Sequence, residues 1–468
     1  MDIQTFEIKN LYGTKDIKLT FKDNTLILVG ENGAGKTTVL RLMFYFLSGQ
    51  WDKLGIYNFE SLFLSYISNT GEKGEIEITK SNLNSVLSLE LNQLIHFSQK
   101  DDIEIMIEKL KILDWEYENP VLSRYMKKNT SNFIQILKHA NRLNGKDPKI
   151  RNISFNLKKL KDSINFKILY LPTYRRIETE LDAIISDRDE EDLKLRTKIR
   201  GDKSIEFHTK KGNNNSHIEL IEFGMNDVKT AIENTLKDLK EFSREQLNNL
   251  TLGYLSDVVE KKYNDIDISQ IKNVSKDLIE SVLQRIDIKI LSDENKNHLS
   301  QIISKISRID NSDIEEHSKV LCHYFLKLLN FQKELEKREQ DIKQFCEICN
   351  KFLNPEKKLD YDSSNFTFRI FKKIDDQTIE LKNLSSGEKQ IVSIFNHLCL
   401  SNDKKAFFVL IDEPELSLSV KWQKEFLLNL RNLKLFKGMF SVTHSPFIYD
   451  NELVKYASGL GVSTSEVQ

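Results

Sequence analysis

The 468-residue chain is long enough for two or three domains, each able to bury its own core. Its formal net charge of -1 excludes a global electrostatic field that attracts DNA, so a nucleic-acid contact needs a local basic patch. Four cysteines in so long a chain do not form a disulfide framework, and no stretch approaches the ~18 uncharged apolar residues of a membrane span. The composition therefore predicts a soluble, cytoplasmic protein without membrane contacts.

A glycine-rich loop near the N-terminus is the first informative motif. Residues 26–29 are predicted to form a buried parallel strand, and residues 39–47 a helix. The loop between them matches the phosphate-binding pattern G-x-x-x-x-G-K-[ST]. The nucleotide ligands predicted from it are Gly30, Asn32, Gly33, Ala34, Gly35, Lys36, Thr37 and Thr38.

This loop predicts ATP and Mg²⁺ as cofactors. Its glycines let backbone N–H groups converge on phosphate oxygens, and the helix N-terminus adds positive potential. Lys36 is expected to reach the β- and γ-phosphates, and the Thr37 hydroxyl to bind Mg²⁺. A chance glycine-rich turn is the alternative, but the order of strand, loop and helix favours phosphate binding.

An apolar strand that is followed by two acidic residues is predicted near the other end of the chain. Residues 406–411 are apolar, and Asp412 and Glu413 follow them directly. The acids of a Walker B strand must emerge beside the phosphates at the carboxyl end of the sheet. We expect Asp412 to bind Mg²⁺ and Glu413 to polarise the attacking water.

Two further motifs flank this strand. Leu384-Ser-Ser-Gly-Glu-Lys-Gln390 resembles the signature motif of ABC ATPases, in the variant of the SMC and recombination-repair proteins. The resemblance implies that Ser385, Ser386 and Gly387 contact a γ-phosphate; a capped helix without a nucleotide role is the alternative. It also implies that His444, which follows the strand-like Phe440–Thr443, is the catalytic switch histidine, and that residues 415–419 form the D-loop.

The chain is thus similar to the ABC/SMC-type ATPases. The implied fold is α/β, an ABC-type P-loop ATPase head with an inserted helical, coiled-coil-like arm. The chain departs from the family pattern in the Q-loop, the segment in which the family has a glutamine. Thr173 stands at that position here, so we expect ATP turnover to be slow. Arg175 and Arg176 beside it are candidates for phosphate or partner contacts, or ordinary surface charges.

The spacing of these motifs predicts the domain organisation. Head segments are expected at 1–80, 166–180 and 356–468, a helical insertion at 81–165, and the arm at 181–355. No proline lies between Pro172 and Pro355, and the apolar 3/4 spacing of the arm predicts a helix from about 313 to 353 with an antiparallel mate built from residues near 225–290. Cys346 and Cys349 lie on the apolar seam of that helix, so we interpret them as core rather than as a zinc hook.

Three functions remain open at this stage. In residues 170–178, 222–225 and 413–418 the chain resembles the ATPases of bacterial anti-phage systems, the Septu family in particular, and more distantly the overcoming-lysogenization family. That resemblance implies a homodimer or higher homo-oligomer that controls a separate, HNH-type nuclease and reaches nucleic acid through the complex. The overcoming-lysogenization relatives continue into a nuclease domain after the switch histidine, so we expect any cleavage to come from a partner. The alternatives are an SMC-like repair ATPase that clamps DNA directly, and a transporter subunit, which the long arm disfavours.

Overall fold

The computed structural model describes residues 1–31, 33–87, 137–138, 141–142, 146–172, 217–219, 225–265, 274–284, 292–306, 315–401, 404–460 and 462–463. Its strands are β1 (Asp2–Leu11), β2 (Lys15–Thr20), β3 (Thr25–Val29), β4 (Ser61–Ile67), β5 (Lys73–Thr79), β6 (Lys167–Leu171), β7 (His217–Glu219), β8 (Lys357–Asp362), β9 (Thr367–Lys372), β10 (Phe407–Asp412), β11 (Phe436–Thr443), β12 (Ala457–Gly459) and β13 (Val462–Ser463). Its helices are α1 (Lys36–Ser48), α2 (Trp51–Leu54), α3 (Pro148–Ser163), α4 (Met225–Val259), α5 (Lys276–Gln284), α6 (Asp293–Ile306), α7 (Glu316–Leu353), α8 (Ser386–Cys399) and α9 (Val420–Arg431).

The chain divides into two compact units. The first unit comprises Met1–Glu222 and Lys404–Gln468, and the second comprises Phe223–Asp403. Residues 356–401, which the sequence-based domain bounds group with the head, therefore lie in the same unit as α7. None of the helices in the described residues is long and apolar enough to span a membrane.

A parallel sheet forms the centre of the first unit. Its six strands run in the order β12-β3-β11-β10-β6-β7, and every neighbouring pair is parallel. β10 is buried along its whole length, as expected for a central strand covered on both faces. Asp412 pairs with Val442, and Thr443 pairs with Val29, so β10, β11 and β3 end at one edge of the sheet. The loops that follow these strands meet at that edge.

The helix that follows β3 is held between this sheet and a second one. The second sheet is antiparallel, with the strand order β13-β2-β1-β4-β5. Phe46 of α1 contacts Phe6 of β1 edge to face at 5.5 Å, while Phe44 of α1 stacks on Tyr170 of β6 at 4.7 Å. Because one continuous core joins α1 to both sheets, the start of α1 is fixed beside the end of β3.

Two long antiparallel helices characterise the second unit. α7 has 38 residues and α4 has 35, so α7 is about 57 Å long. Tyr254 of α4 packs against Tyr324 near the start of α7, and Phe242 lies under Arg338 further along it. α7 covers most of the range predicted for a long helix, 313–353, and α4 lies within the range predicted for its antiparallel mate, 225–290.

Candidate functional site

The glycine-rich loop turns between β3 and α1. Gly33 and Gly35 adopt left-handed backbone conformations, with φ of 81° and 92°. A Cβ atom at either position meets nothing within 4 Å, so the backbone conformation, rather than lack of space, requires glycine there. α1 begins at Lys36, directly after Gly35, and the first N–H groups of a helix are free to bind an anion. Asn32 lies outside the described residues.

The Lys36 side chain turns into this loop. Only 6% of the residue is exposed, and its ammonium donates hydrogen bonds to the carbonyl oxygens of Gly30 at 2.7 Å and Glu31 at 2.8 Å. An ammonium group has three N–H donors, and these contacts use two. A buried cation bordered by glycine N–H groups and a helix N-terminus fits a phosphate group.

A hydroxyl and a carboxylate meet beside the loop. The Thr37 Oγ1 atom donates a hydrogen bond to Asp412 Oδ1 at 3.0 Å, although the two residues are 375 positions apart in the sequence. Asp412 ends β10 and is 3% exposed. Mg²⁺ prefers hard oxygen ligands, often one or two protein oxygens together with phosphates and water. The Thr37 and Asp412 oxygens fit such an ion.

Glu413 and His444 lie at the same edge of the sheet. Glu413 has a φ of 48°, a conformation that non-glycine residues rarely adopt. Its backbone N–H donates to the Val442 carbonyl oxygen at 2.9 Å, which ties the turn after β10 to β11. The His444 Nδ1 atom lies 3.8 Å from Glu413 Oε1. A carboxylate and an imidazole therefore lie at the edge of the sheet from which the loop with Lys36 also starts.

A buried tyrosine that was not singled out in the sequence borders the same region. Tyr170 lies on β6, paired with Leu410, and its ring is stacked on Phe44. Burial raises the pKa of Tyr170, while the nearby Arg41 guanidinium acts in the opposite direction and the Asp412 carboxylate adds to the increase. The phenol therefore stays neutral at physiological pH. A lone tyrosine in an apolar strand gives no sequence signal for such a position.

The signature-like motif begins helix α8 in the second unit. Ser385 is the N-cap, with its Oγ accepting from the Glu388 N–H at 3.4 Å and the Glu388 carboxylate accepting from the Ser385 N–H at 2.7 Å. Lys357 of β8 donates to both Glu388 oxygens, at 2.8 and 2.7 Å. Burial favours a higher pKa of Glu388, but the hydrogen bonds from Lys357 and Ser385 outweigh it and lower that pKa.

The predicted site residues thus form two groups. The first unit brings together Gly30, the loop from Gly33 to Thr38, Asp412, Glu413 and His444. Ser385, Ser386 and Gly387 belong to the second unit; both serines are exposed and Gly387 is buried. The Q-loop candidates Thr173, Arg175 and Arg176 lie outside the described residues.

The parallel sheet, the loop between β3 and α1, the buried Lys36 and the Thr37–Asp412 pair define a P-loop nucleotide-binding head. The chain belongs to the AAA ATPase domain family, whose model matches residues 1–449. It is accordingly an ATPase of the P-loop class.

Solved structures show a distant likeness. One is an Smc head domain with an extended coiled coil bound to the C-terminal domain of ScpA, from Pyrococcus furiosus. The sequence identity is 12% and the TM-score is 0.34, and the matched region covers 96% of this chain and 91% of the Smc chain. Another is an SmcHead bound to the C-winged helix domain of ScpA, with 11% identity and a TM-score of 0.34. The matched region covers 100% of this chain and 98% of the SmcHead chain. No curated protein matches the chain.

Proposed function

We propose that the site hydrolyses ATP with Mg²⁺ and that the residues around β3, β10 and β11 carry the reaction. The observation behind this proposal is the hydrogen bond between Thr37 and Asp412, which joins the two motifs beside the buried Lys36. The N–H groups from Gly33 to Thr38 and the Lys36 ammonium bind the phosphates. Thr37 and Asp412 hold the metal ion, which neutralises charge on the phosphates when bound.

Glu413 and His444 act on the opposite side of the γ-phosphate from the leaving group. Glu413 is partly exposed, and its carboxylate accepts a proton from the attacking water. His444 orients toward the terminal phosphate. Because Thr173 replaces the Q-loop glutamine of the family, we expect turnover to be slow.

The composite site needs a second copy of the chain. In this proposal Ser385, Ser386 and Gly387 of one subunit complete the site around Lys36 of another, so the active unit is at least a dimer. The exposure of both serines at the start of α8 supports the ligand role, because a second subunit can reach them there.

In the cell, the protein serves as the ATP-hydrolysing subunit of a bacterial anti-phage defence complex, like the Septu ATPase PtuA. It controls a separate nuclease, of HNH type, through nucleotide-dependent engagement of two heads. The supporting resemblance lies in residues 170–178, 222–225 and 413–418. A nucleotide shifts an equilibrium only when it binds one state more tightly, and phosphate contacts made across two heads supply that difference.

Direct binding of duplex DNA is the second candidate, and one surface favours it. On α3, Phe155 is 66% exposed, and Lys158 and Lys161 are exposed about one and two turns further along. Partial burial of the Lys161 side chain and the charge of Lys138 lower the pKa of Lys161, so two lysines lie close together here. Basic side chains around an exposed aromatic ring suit a nucleic-acid backbone.

A DNA-binding titration separates the two functions. Fluorescence anisotropy of a labelled duplex is measured with and without ATP over a salt series. Under the regulatory proposal, ATP leaves the affinity for DNA within about threefold. ATP-dependent tightening with a steep salt slope, lost in Lys158→Glu with Lys161→Glu but retained in the exposed control Lys434→Glu, establishes the DNA clamp instead.

A further inference from the structure

A buried glutamate lies beneath the switch histidine. Glu415 follows β10 by three residues and is 6% exposed. Its Oε2 accepts a hydrogen bond from the Thr443 hydroxyl at 2.8 Å, and its Oε1 accepts from the backbone N–H groups of His444 at 3.0 Å and Ser445 at 3.3 Å. Both carboxylate oxygens are thus fixed by the end of β11.

The same carboxylate contacts the imidazole ring. The His444 Nδ1 atom lies 3.0 Å from Glu415 Oε1, compared with 3.8 Å from Glu413 Oε1. A carboxylate only accepts hydrogen bonds, so this short contact favours the tautomer that carries its proton on Nδ1. The His444 side chain is 40% exposed, whereas Glu415 is buried below it. The ring is therefore held on one side, and its Nε2 atom is left for another partner.

We infer that Glu415 is a positioning residue that fixes the orientation and the tautomer of His444. The inference rests on the proposed role of His444 at the terminal phosphate. With Nδ1 held at Glu415, Nε2 is the ring nitrogen left for a group at the terminal phosphate.

A second side chain extends this link to the D-loop. Gln423 of α9 donates to the Leu418 carbonyl oxygen at 2.9 Å and accepts from the Ser445 hydroxyl at 2.7 Å. Two side chains, Glu415 and Gln423, therefore connect the turn at residues 415–419 to the loop that contains His444. A displacement of residues 415–419 at a subunit contact would move the histidine with it.

A purely structural role for Glu415 is the competing explanation. Removing its carboxylate takes away an acceptor from the His444 and Ser445 N–H groups and from the Thr443 hydroxyl, which costs stability whatever His444 does. Loss of activity in Glu415→Ala is therefore insufficient by itself. Glu415→Gln keeps an amide oxygen for the backbone donors while it removes the charge and turns the second acceptor into an NH₂ donor, so it is the more conservative variant.

A double-mutant cycle tests whether Glu415 acts through His444. ATP turnover is measured for Glu415→Ala, Glu415→Gln, His444→Ala and the double variant Glu415→Ala with His444→Ala; the exposed Glu72→Gln is the matched control. We expect Glu415→Ala to lower kcat about tenfold or more with KM within about threefold, and Glu415→Gln to recover part of the loss. In the His444→Ala background, Glu415→Ala should cause no further loss of kcat. Losses that multiply in the double variant overturn the inference.

A spectroscopic measurement tests the same point without activity. Long-range ¹⁵N–¹H spectra of histidine-labelled protein report which ring nitrogens are protonated, and His444→Ala identifies the signal. The wild type should show a protonated Nδ1, and Glu415→Gln or Glu415→Ala should shift the signal toward the other tautomer. An unchanged His444 signal in a folded Glu415 variant contradicts the inference.

Failure of the inference is distinguishable from failure of the proposed function. If Lys36→Ala and Glu413→Gln keep full ATP turnover, the proposed site is wrong, whereas the ¹⁵N spectra still decide whether Glu415 positions the ring. If those two variants are inactive but the Glu415 variants match Glu72→Gln, the site is retained and the role of Glu415 is rejected.

Discussion

At the scale of single residues, Lys36 and Glu413 differ in burial and in charge. Lys36 is enclosed by its loop, while Glu413 lies at the exposed edge of the sheet beside His444. Lys36→Ala should abolish nucleotide binding, because the phosphates lose their cation. Glu413→Gln should keep binding but lower turnover by about 10²- to 10⁴-fold, because only the attacking water loses its base. Equilibrium nucleotide binding and phosphate release measure the two effects separately.

The exposed Lys434→Ala is the control for the first variant, and Glu72→Gln for the second. Full ATPase activity in Glu413→Gln would remove Glu413 from its role. Turnover as fast as that of an enzyme with a Q-loop glutamine would count against the alignment at Thr173.

Cys346 and Cys349 are a second residue-scale case, with zinc binding as the competing explanation. Burial raises the pKa of Cys346 to about 12 and that of Cys349 well above its usual value. Zinc binds thiolates, so a raised thiol pKa disfavours the metal. We expect purified protein to contain no stoichiometric zinc, and Cys346→Ser with Cys349→Ser to leave the oligomeric state unchanged while lowering the unfolding free energy.

Metal analysis and light scattering on the wild type and the double variant measure both quantities. Stoichiometric zinc that disappears in the double variant together with self-association would establish a zinc hook. The exposed Ser256→Ala is a matched control for small changes at an arm helix.

At the scale of elements, the sequence predicted the parts that have strong local patterns. The apolar strands β3 and β10, the loop before α1 and the long helix α7 all follow from continuous runs or regular spacing. The hairpin β8–β9 was not predicted, because its strands are short and half-exposed. The contacts of Glu415 could not be predicted either, since they depend on the parallel register of β10 and β11 rather than on a motif.

The start of α8 is the element that a second subunit is expected to use. Ser385→Arg places a bulky cation at this N-terminus, and Lys36→Ala removes the phosphate ligand. If each site combines the two motifs from different subunits, a mixed dimer carries both lesions in one site and neither in the other. Mixing the two inactive chains should therefore restore ATP turnover, measured after exchange of subunits.

Light scattering beside the assay reports the species that turns over. Two wild-type preparations mixed in the same way control for dilution and exchange. Hydrolysis by a strictly monomeric protein, or no restoration despite proven mixed dimers, would reject the composite site.

At the scale of the whole molecule, the final prediction is that the chain regulates a nuclease and does not cut nucleic acid itself. In the proposed function the head makes an ATP-dependent contact between copies, and the long helices of the second unit offer surface for a partner. The exposed stripe of Leu252, Leu255 and Val259 on α4 adds apolar area to such a face. Engagement and release of the heads would then change how the partner is held.

Purified protein should therefore leave plasmid DNA and RNA intact with Mg²⁺ or Mn²⁺. The product of the adjacent gene, when co-expressed, should copurify and supply nuclease activity that varies with ATP. The same complex with Glu413→Gln binds ATP but keeps the heads engaged, so its nuclease activity should stop responding to ATP depletion. Glu72→Gln in that complex should respond as the wild type does. Robust cleavage by the chain alone, lost on mutating residues outside the ATP site, would refute the regulatory function.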